Sequence, residues 1–406
     1  MIFRIAPLLA LLVMVPFICQ CTSSSADDAP PKSWTILVYL DGDNNLERDF
    51  IGSFLDMAQY GSDANINLVV QFDRSPDYDD QYGDWTIAHR FYITRGMTPV
   101  EGAAIQDWGD GEGGREVDMA DPMTLASFIN WGMHHWPAQK YAVVVADHGT
   151  AWQGMCLDET SGDYWMYLTE LKQAFEAAAQ NVTLIGLDAC LMATMDAAWQ
   201  LKDVGADVMV GSEASGRAWP WDLILAEWVK NPGWDAGQAG AWMVKSYHRH
   251  WVVDQKEDDM TLAALDLAEA AELGKRTAAF SETALAGADF TAIRDAARSV
   301  REQVDRTVIE SLASPNRTDA HGVTVYFPES RGGMIIELPD NYAFYTGKLV
   351  PFAKQASWRP LLTGTLMPLG SKLDPRILDA RDQINLTFEG GAFVDLAHYM
   401  DTLMNQ

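Results

Sequence analysis

The chain reads as an α/β protein: a mostly parallel sheet with helices packed on both faces. Three observations predict this. Apolar runs of strand length recur along the chain, segments with helical spacing lie between them, and the runs are apolar throughout instead of alternating. Strands buried on both faces have that texture, and covered parallel sheets are built from them.

The elements follow in order. Trp34–Leu40 (WTILVYL) is a buried strand closed by Asp41-Gly42-Asp43-Asn44-Asn45. Leu46–Tyr60 has helical spacing at Leu46, Phe50, Phe54, Leu55 and Met57. Ile66–Phe72 is a second strand, and Thr86–Ile93 a half-exposed one behind the acidic surface loop Asp77–Asp84. Asp121-Pro122 starts a helix, an N-cap with Pro at N1, that runs to about His135. Tyr141–Ala146 (YAVVVA) is a third buried strand, followed at once by Asp147-His148-Gly149. Val182–Leu187 is a fourth, followed by Asp188-Ala189-Cys190, with helical spacing from Leu191 to about Val204. Asp207–Ser212 is a fifth strand. From about Asp258 the composition turns rich in Ala, Glu and Arg, and Leu262–Ala286 and Phe290–Ser311 read as two amphipathic helices. Gly322–Pro328 is a further strand, and Phe393–Leu403 the last helix.

The N-terminus reads as an export signal: Arg4, an apolar run from Ile5 to Ile18, then Cys19-Gln20-Cys21 before a Ser-rich tract. That run is too short for a membrane span. Cys21, where the polar linker begins, is the expected lipidation site, giving an exported outer-membrane lipoprotein tethered to the membrane by its lipid. The expected divisions are a signal at 1–21, a linker at 22–32, a catalytic domain at 33–257 and a helical and mixed α/β extension at 258–406 packed on it. A formal charge of −28 excludes a nucleic-acid partner, which needs a basic face. The same acidity suits an exported soluble protein and a cleft that attracts basic substrates.

The chemistry lies at two strand ends. One buried strand delivers His148 and another delivers Cys190, 190 − 148 = 42 positions later. Ligands in such sheets bind beyond the carboxyl ends of the strands. Neighbouring strands would therefore place a thiol nucleophile and an imidazole acid/base on one rim, the pairing a cysteine hydrolase needs. Gly149 leaves room for a substrate backbone, and the N–H groups of Gly149 and Cys190 are the expected oxyanion donors. A helix starting just after Cys190 would favour the thiolate. Either residue alone is ordinary in a core; the joint placement points to catalysis.

Apolar strand, His-Gly, spacer, apolar strand, Asp-Ala-Cys resembles the caspase-like cysteine peptidases. Within them, WTILVYLDGDNNLE, ADHGTAW, LIGLDACLMATMDAAWQL and GVTVYFP resemble the clostripain family, over about residues 34–330. The resemblance implies a caspase-like α/β/α sandwich and an endopeptidase acting on proteins or peptides. His148 would be its acid/base, Cys190 its nucleophile and Asp188 an acid for a basic residue before the cut. A plain helix-capping carboxylate is the other reading of Asp188. The chemistry requires no cofactor. The family connection leaves calcium open with no ligands assigned: Asp41–Glu47 has oxygen donors in a Gly-containing turn, and capping of the following helix is the preferred reading there.

Two features depart from the family pattern. The loop Ser212–Trp219 (SEASGRAW) keeps Glu213 for substrate binding but carries Arg217, which would weaken a preference for Arg or Lys if it neutralised Asp188. From Gly149 to Glu170 there is no Lys or Arg, so self-cleavage after a basic residue is not expected there. A different class also fits the altered loop: a surface-anchored protein of the same fold, weak or inactive as an enzyme, that binds peptides or glycans. Cys156 is expected to be buried, His134-His135 to end their helix, and His321-Gly322 to be an unrelated His-Gly pair.

Overall fold

The computed structural model describes residues 31–162, 164–328, 330–331, 334–335, 352, 358, 361, 373–384 and 393–406. Lys32–Gln406 forms one compact unit. The signal and lipidation readings, Cys21 included, fall outside the described residues. Among those described, no helix is long and apolar enough to cross a membrane.

The elements run β1 (Lys32–Gly42), α1 (Glu47–Tyr60), β2 (Ile66–Arg74), β3 (His89–Tyr92), α2 (Pro122–His135), β4 (Ala138–Ala146), β5 (Met155–Asp158), β6 (Tyr164–Met166), α3 (Leu168–Glu176), β7 (Leu184–Asp188), α4 (Met195–Leu201) and β8 (Val208–Gly211). They continue as α5 (Trp221–Trp228), α6 (Ala236–Tyr247), β9 (Thr261–Asp266), α7 (Leu267–Leu285), α8 (Phe290–Thr307), β10 (Val308–Ala313) and β11 (Thr324–Tyr326). One eight-stranded sheet has the order β10-β9-β8-β7-β4-β1-β2-β3. The run from β8 to β2 is parallel, and β3, β9 and β10 close the edges antiparallel to their neighbours.

Because side chains alternate along a strand, each buried strand feeds two cores. Leu37 and Tyr39 of β1 enter the core covered by α2, α3, α4, α7 and α8. Ile36, Val38 and Leu40 enter the other, covered by α1, α5 and α6. The start of α1 is pinned by a buried ion pair, Glu47 to Arg74 at 2.6 Å, both side chains fully covered. Removing one partner would strand the other charge, at a cost of about 3–5 kcal/mol.

Several expectations need correction. The segment from Leu262 is a strand before it is a helix: β9 pairs with β8, and Asp266 then caps α7 by accepting the N–H groups of Ala268 and Glu269. The segment after Phe290 likewise ends as β10, paired with β9. Residues beyond 258 thus supply two strands to the sheet that carries the site. The last helix begins at Leu396, because Phe393–Asp395 first pairs with β11 and Asp395 then serves as N-cap. The helix after Cys190 begins only at Met195, capped by Thr194, since Leu191 adopts a left-handed φ of 64°. The helix-dipole argument for a Cys190 thiolate therefore fails. Cys156 is buried, and neither it nor Cys190 is in a disulfide.

Candidate active site

The register of β4 and β7 builds the site. Ala146 pairs with Asp188, so His148 and Cys190 each lie two residues past the paired position. Asp147 N–H continues the ladder to Asp188 O at 3.3 Å. Both side chains line one cavity of about 480 Å³, which opens at the carboxyl ends of the parallel strands. Here β1 lies between β2 and β4, and the order of strands reverses. Open α/β sheets place their ligand sites at such a reversal.

His148 is held from β1's side of the rim. Its Nε2 donates to Asn45 Oδ1 at 2.7 Å, which leaves the Nδ1 lone pair to take or give a proton. Burial holds the imidazole below its ordinary pKa, opposed by the charge of Glu159. Beneath it, Asp147 accepts from Asn44 Nδ2 at 2.7 Å and from the Leu157 N–H. Asp41 lies beside Asp147, and burial pushes both carboxyls above their ordinary range.

Cys190 sits on a tight turn. Leu191 N–H bonds Ala214 O at 3.0 Å and Ala193 N–H bonds Ser212 O at 2.8 Å, zipping the Cys190 turn to the loop after β8. That loop is ordered from β9: Thr261 Oγ1 accepts the N–H groups of Glu213 and Ala214 at 3.0 and 2.9 Å. Gly216 N–H then points at Cys190 Sγ, 3.2 Å away. A backbone donor, not a helix N-terminus, is what this structure offers a thiolate.

Gly149 is a position of close approach. A Cβ there would lie 2.2 Å from Cys190 O. The ladder beside it runs through His148 O and the Thr150 N–H, and passes over the Gly149 N–H.

Asp188 lies at the cavity floor, 5% exposed, and accepts the Trp219 N–H at 3.0 Å. Burial pushes its carboxyl well above the usual range, against the Trp219 N–H and with the charge of Asp49. Asp49 and Asp56 reach the cavity from α1. The Asp56 carboxyl is pushed up to about 6 by burial and then by Asp222. Arg217 lines the rim, but its guanidinium bonds Glu257 at 3.2 Å and lies 6.0 Å from the Trp251 ring. The structure thus pairs Arg217 with Glu257, not with Asp188.

Glu213 does not line the cavity. Alternation past β8 turns Ser212 into the cavity and Glu213 away from it. There Glu213 is buried, accepting Gly322 N–H at 2.6 Å beside Asp395. Its expected substrate-binding place is therefore corrected to a structural one. The expected cap in Asp41–Glu47 is also only partial: Asn44 Oδ1 accepts Leu46 N–H at 2.9 Å, but the N-cap residue Leu46 has no side-chain cap. Sequence reading missed Asn45, Gly216 and Tyr247, whose hydroxyl accepts Arg217 N–H at 2.9 Å and which lines the cavity. The signal for Asn45 was its place at the carboxyl end of a buried strand, next to the strand that delivers His148.

Comparison with known proteins agrees with this fold. The sequence profile of the clostripain family matches residues 38–324. The chain is 29% identical over 234 residues to clostripain of Hathewaya histolytica, across 51% of this chain and 44% of that protein. It thus spans less than half the length of that curated relative. The fold is similar to a secreted C11 cysteine protease of Bacteroides thetaiotaomicron solved with an irreversible peptide inhibitor, with TM-score 0.60 and 17% identity over 80% of this chain and 99% of that one. It is also similar to an inactive zymogen C11 protease of Parabacteroides distasonis, with TM-score 0.59 and 15% identity over 81% and 99%. The mixed sheet between two helical layers is the caspase-like sandwich that the sequence led us to expect. With most of its length matched by the family profile, this chain belongs to the clostripain family.

Proposed function

We propose that the protein is a cysteine endopeptidase acting through His148 and Cys190. The observation that carries this reading is the β4–β7 register, which sets both residues two positions past a paired couple on one cavity. Cys190 Sγ attacks the scissile carbonyl carbon while its proton passes to His148 Nδ1, with Nε2–H held by Asn45. The carbonyl electrons move to oxygen, facing the N–H groups of Gly149 and Cys190. The C–N bond then breaks, and the amine leaves with the proton from His148. Water, deprotonated by the same imidazole, attacks the thioester, the C–S bond breaks and Cys190 recovers its proton.

The preferred residue before the cut is Arg or Lys. Asp188 is a buried carboxyl with one N–H partner, and Asp49 adds negative charge nearby. A basic side chain entering the cavity supplies the cation that burial has denied this acid. The enzyme is exported, held at the membrane by lipid on Cys21, and active as a single chain. Labelling tests the dyad. An Arg-terminated peptide ketone that alkylates thiols should add one adduct to the wild type and to Cys156→Ala, and none to Cys190→Ala. Equal labelling of Cys190→Ala and wild type would refute it.

A further inference from the structure

Two arginines and a tryptophan build a second cavity at the β3 edge of the sheet. β3 is separated from β4 by β1 and β2, and its register sets Arg90 opposite Gln71 of β2. Phe91 joins the core covered by α1, α5 and α6, so Arg90, one residue earlier, faces α2. The loop after β3 folds back along it: Ala88 and Arg115 exchange both backbone hydrogen bonds, at 3.0 and 3.1 Å. Asp107 holds the tip of that loop by accepting the N–H groups of Gly109 and Gly111 at 2.7 and 2.8 Å. Trp108 is thereby seated against Arg90 and Arg115, whose guanidinium carbons lie 4.2 and 4.6 Å from its ring centre. The resulting cavity of about 340 Å³ shares no lining residue with the one at His148 and Cys190.

Arg90 is 3% exposed, yet its hydrogen-bond partners are neutral: Gln71 Oε1 at 2.8 Å and Ser127 Oγ at 3.4 Å. Among the described residues no carboxylate forms an ion pair with it, whereas the buried Arg74 and Arg317 are paired with Glu47 and Asp259. The rings of Trp108, Trp131 and Phe128 surround it with π faces but supply no anion. Burial, and then the charge of Arg115, lower its pKa to about 9, so it stays cationic at neutral pH. Two like charges over one indole repel, and a buried charge without a counter-ion costs free energy. An anion in the cavity relieves both. Asp110 and Asp121 also line the cavity, the first pairing with Arg115 at 2.8 Å and the second accepting the Met123 N–H. Their charges oppose a dianion, so the site suits a ligand of one negative charge. Val117, Met123 and Trp108 give the same cavity an apolar side.

We propose that this cavity binds a carboxylate carried on an apolar body, with Arg90 and Arg115 as its charge partners. A guanidinium fork matches the two oxygens of a carboxylate. Ser127 Oγ accepts from Arg90, which leaves its own hydrogen for the ligand. A free organic acid and the C-terminal carboxylate of a peptide share this chemistry. Either would be held away from the site of cleavage, since an acid entering the other cavity meets Asp188, Asp49 and Asp56.

The test is calorimetric titration of the full chain with N-acetyl-leucine, which mimics a peptide terminus, and with 4-methylpentanoate, a free acid with the same apolar body. N-acetyl-leucinamide and phosphate are the controls. One saturable site of about millimolar dissociation constant is expected for at least one acid, as suits ligands of that size. The tighter acid identifies the source, and the amide should bind at least about tenfold more weakly than N-acetyl-leucine. Arg115→Gln should weaken the acid at least about fivefold, and Asp110→Asn, which frees Arg115, should tighten it about threefold. The side chains of Arg115 and Asp110 are 38% and 52% exposed, so both variants should fold with little change in Tm. Arg90→Met should abolish binding; the other two variants carry the test should that buried change unfold the chain. No saturable heat from either acid up to about 20 mM, or equal affinity for N-acetyl-leucine and its amide, would overturn the site. Wild-type affinity in both Arg115→Gln and Asp110→Asn would overturn it too. Phosphate binding more tightly than both acids would overturn the carboxylate assignment.

Discussion

His148 Nε2 donates to Asn45 Oδ1 at 2.7 Å, so a loop residue from β1 fixes the tautomer of the imidazole delivered by β4. Two neighbouring parallel strands thus supply the imidazole and its hydrogen-bond partner, and a third, β7, supplies the Cys190 thiol.

Asn45→Ala should therefore lower kcat by about ten- to a hundredfold with little change in KM, as misplacement of a reacting group does. Steady-state kinetics on a peptide amide measures it. An unchanged kcat would show that Asn45 does not position the base.

The acid limb of kcat/KM should fall below pH 6.5. Burial lowers the His148 pKa and Glu159 only partly opposes this, so the neutral base persists as pH falls until the depressed pKa is crossed. Asn45→Asp, which adds an anion at Nε2, should move that limb upward. A limb above pH 6.5 in the wild type would contradict the assignment.

Asp188→Asn should cost about a hundredfold in kcat/KM for Arg and Lys substrates, since a desolvated charge pair loses one member. It should leave neutral substrates and Tm nearly unchanged, because Asn keeps the acceptor for Trp219 N–H. Arg217→Ala should alter selectivity by less than about threefold, because its guanidinium is engaged with Glu257 at the rim. A large gain in basic preference in that variant would show that Arg217 screens Asp188 after all.

Glu213→Gln should change stability and leave selectivity alone. The buried carboxyl is raised above 4.5 by burial and by Asp395. The folded state then holds a proton that the unfolded state releases above pH 4.5, and stability falls as pH rises from there through the folded pKa. The Tm advantage of Glu213→Gln over wild type should accordingly be absent near pH 4 and grow towards pH 8. A constant difference across that range would refute the buried-acid account.

Intact mass should stay that of one chain after incubation at working pH. The spacer between His148 and Cys190 offers no Lys or Arg before Lys172, and much of it forms the β5–β6 hairpin, whose Met155 pairs with Met166. Fragments ending near residue 160 would contradict this.

Much of the fold was legible because strands buried on both faces leave no ambiguity of period: Trp34–Leu40 and Tyr141–Ala146 lie inside observed strands. Thr261–Asp266 was not legible. Its Leu and Ala residues suit either state, and only pairing with β8 decides between them. That His148 and Cys190 share one rim could be read from the strand ends, but their surroundings could not. Asn45 reaches His148 through a contact 103 residues apart in sequence. Glu213 turned out buried because a strand's alternation, not its charge, sets which way it faces. The left-handed Leu191 hid the late start of α4, since a Leu carries no signal for that conformation.

The central claim is that Cys190, served by His148, cuts peptide bonds. The most direct measurement is digestion of a mixed peptide library by the purified protein, with Cys190→Ala alongside and cut sites read by mass spectrometry. The account predicts cuts after Arg and Lys that vanish in the variant. Cuts that persist in Cys190→Ala, or no cutting by wild-type protein with reductant and calcium present, would contradict it.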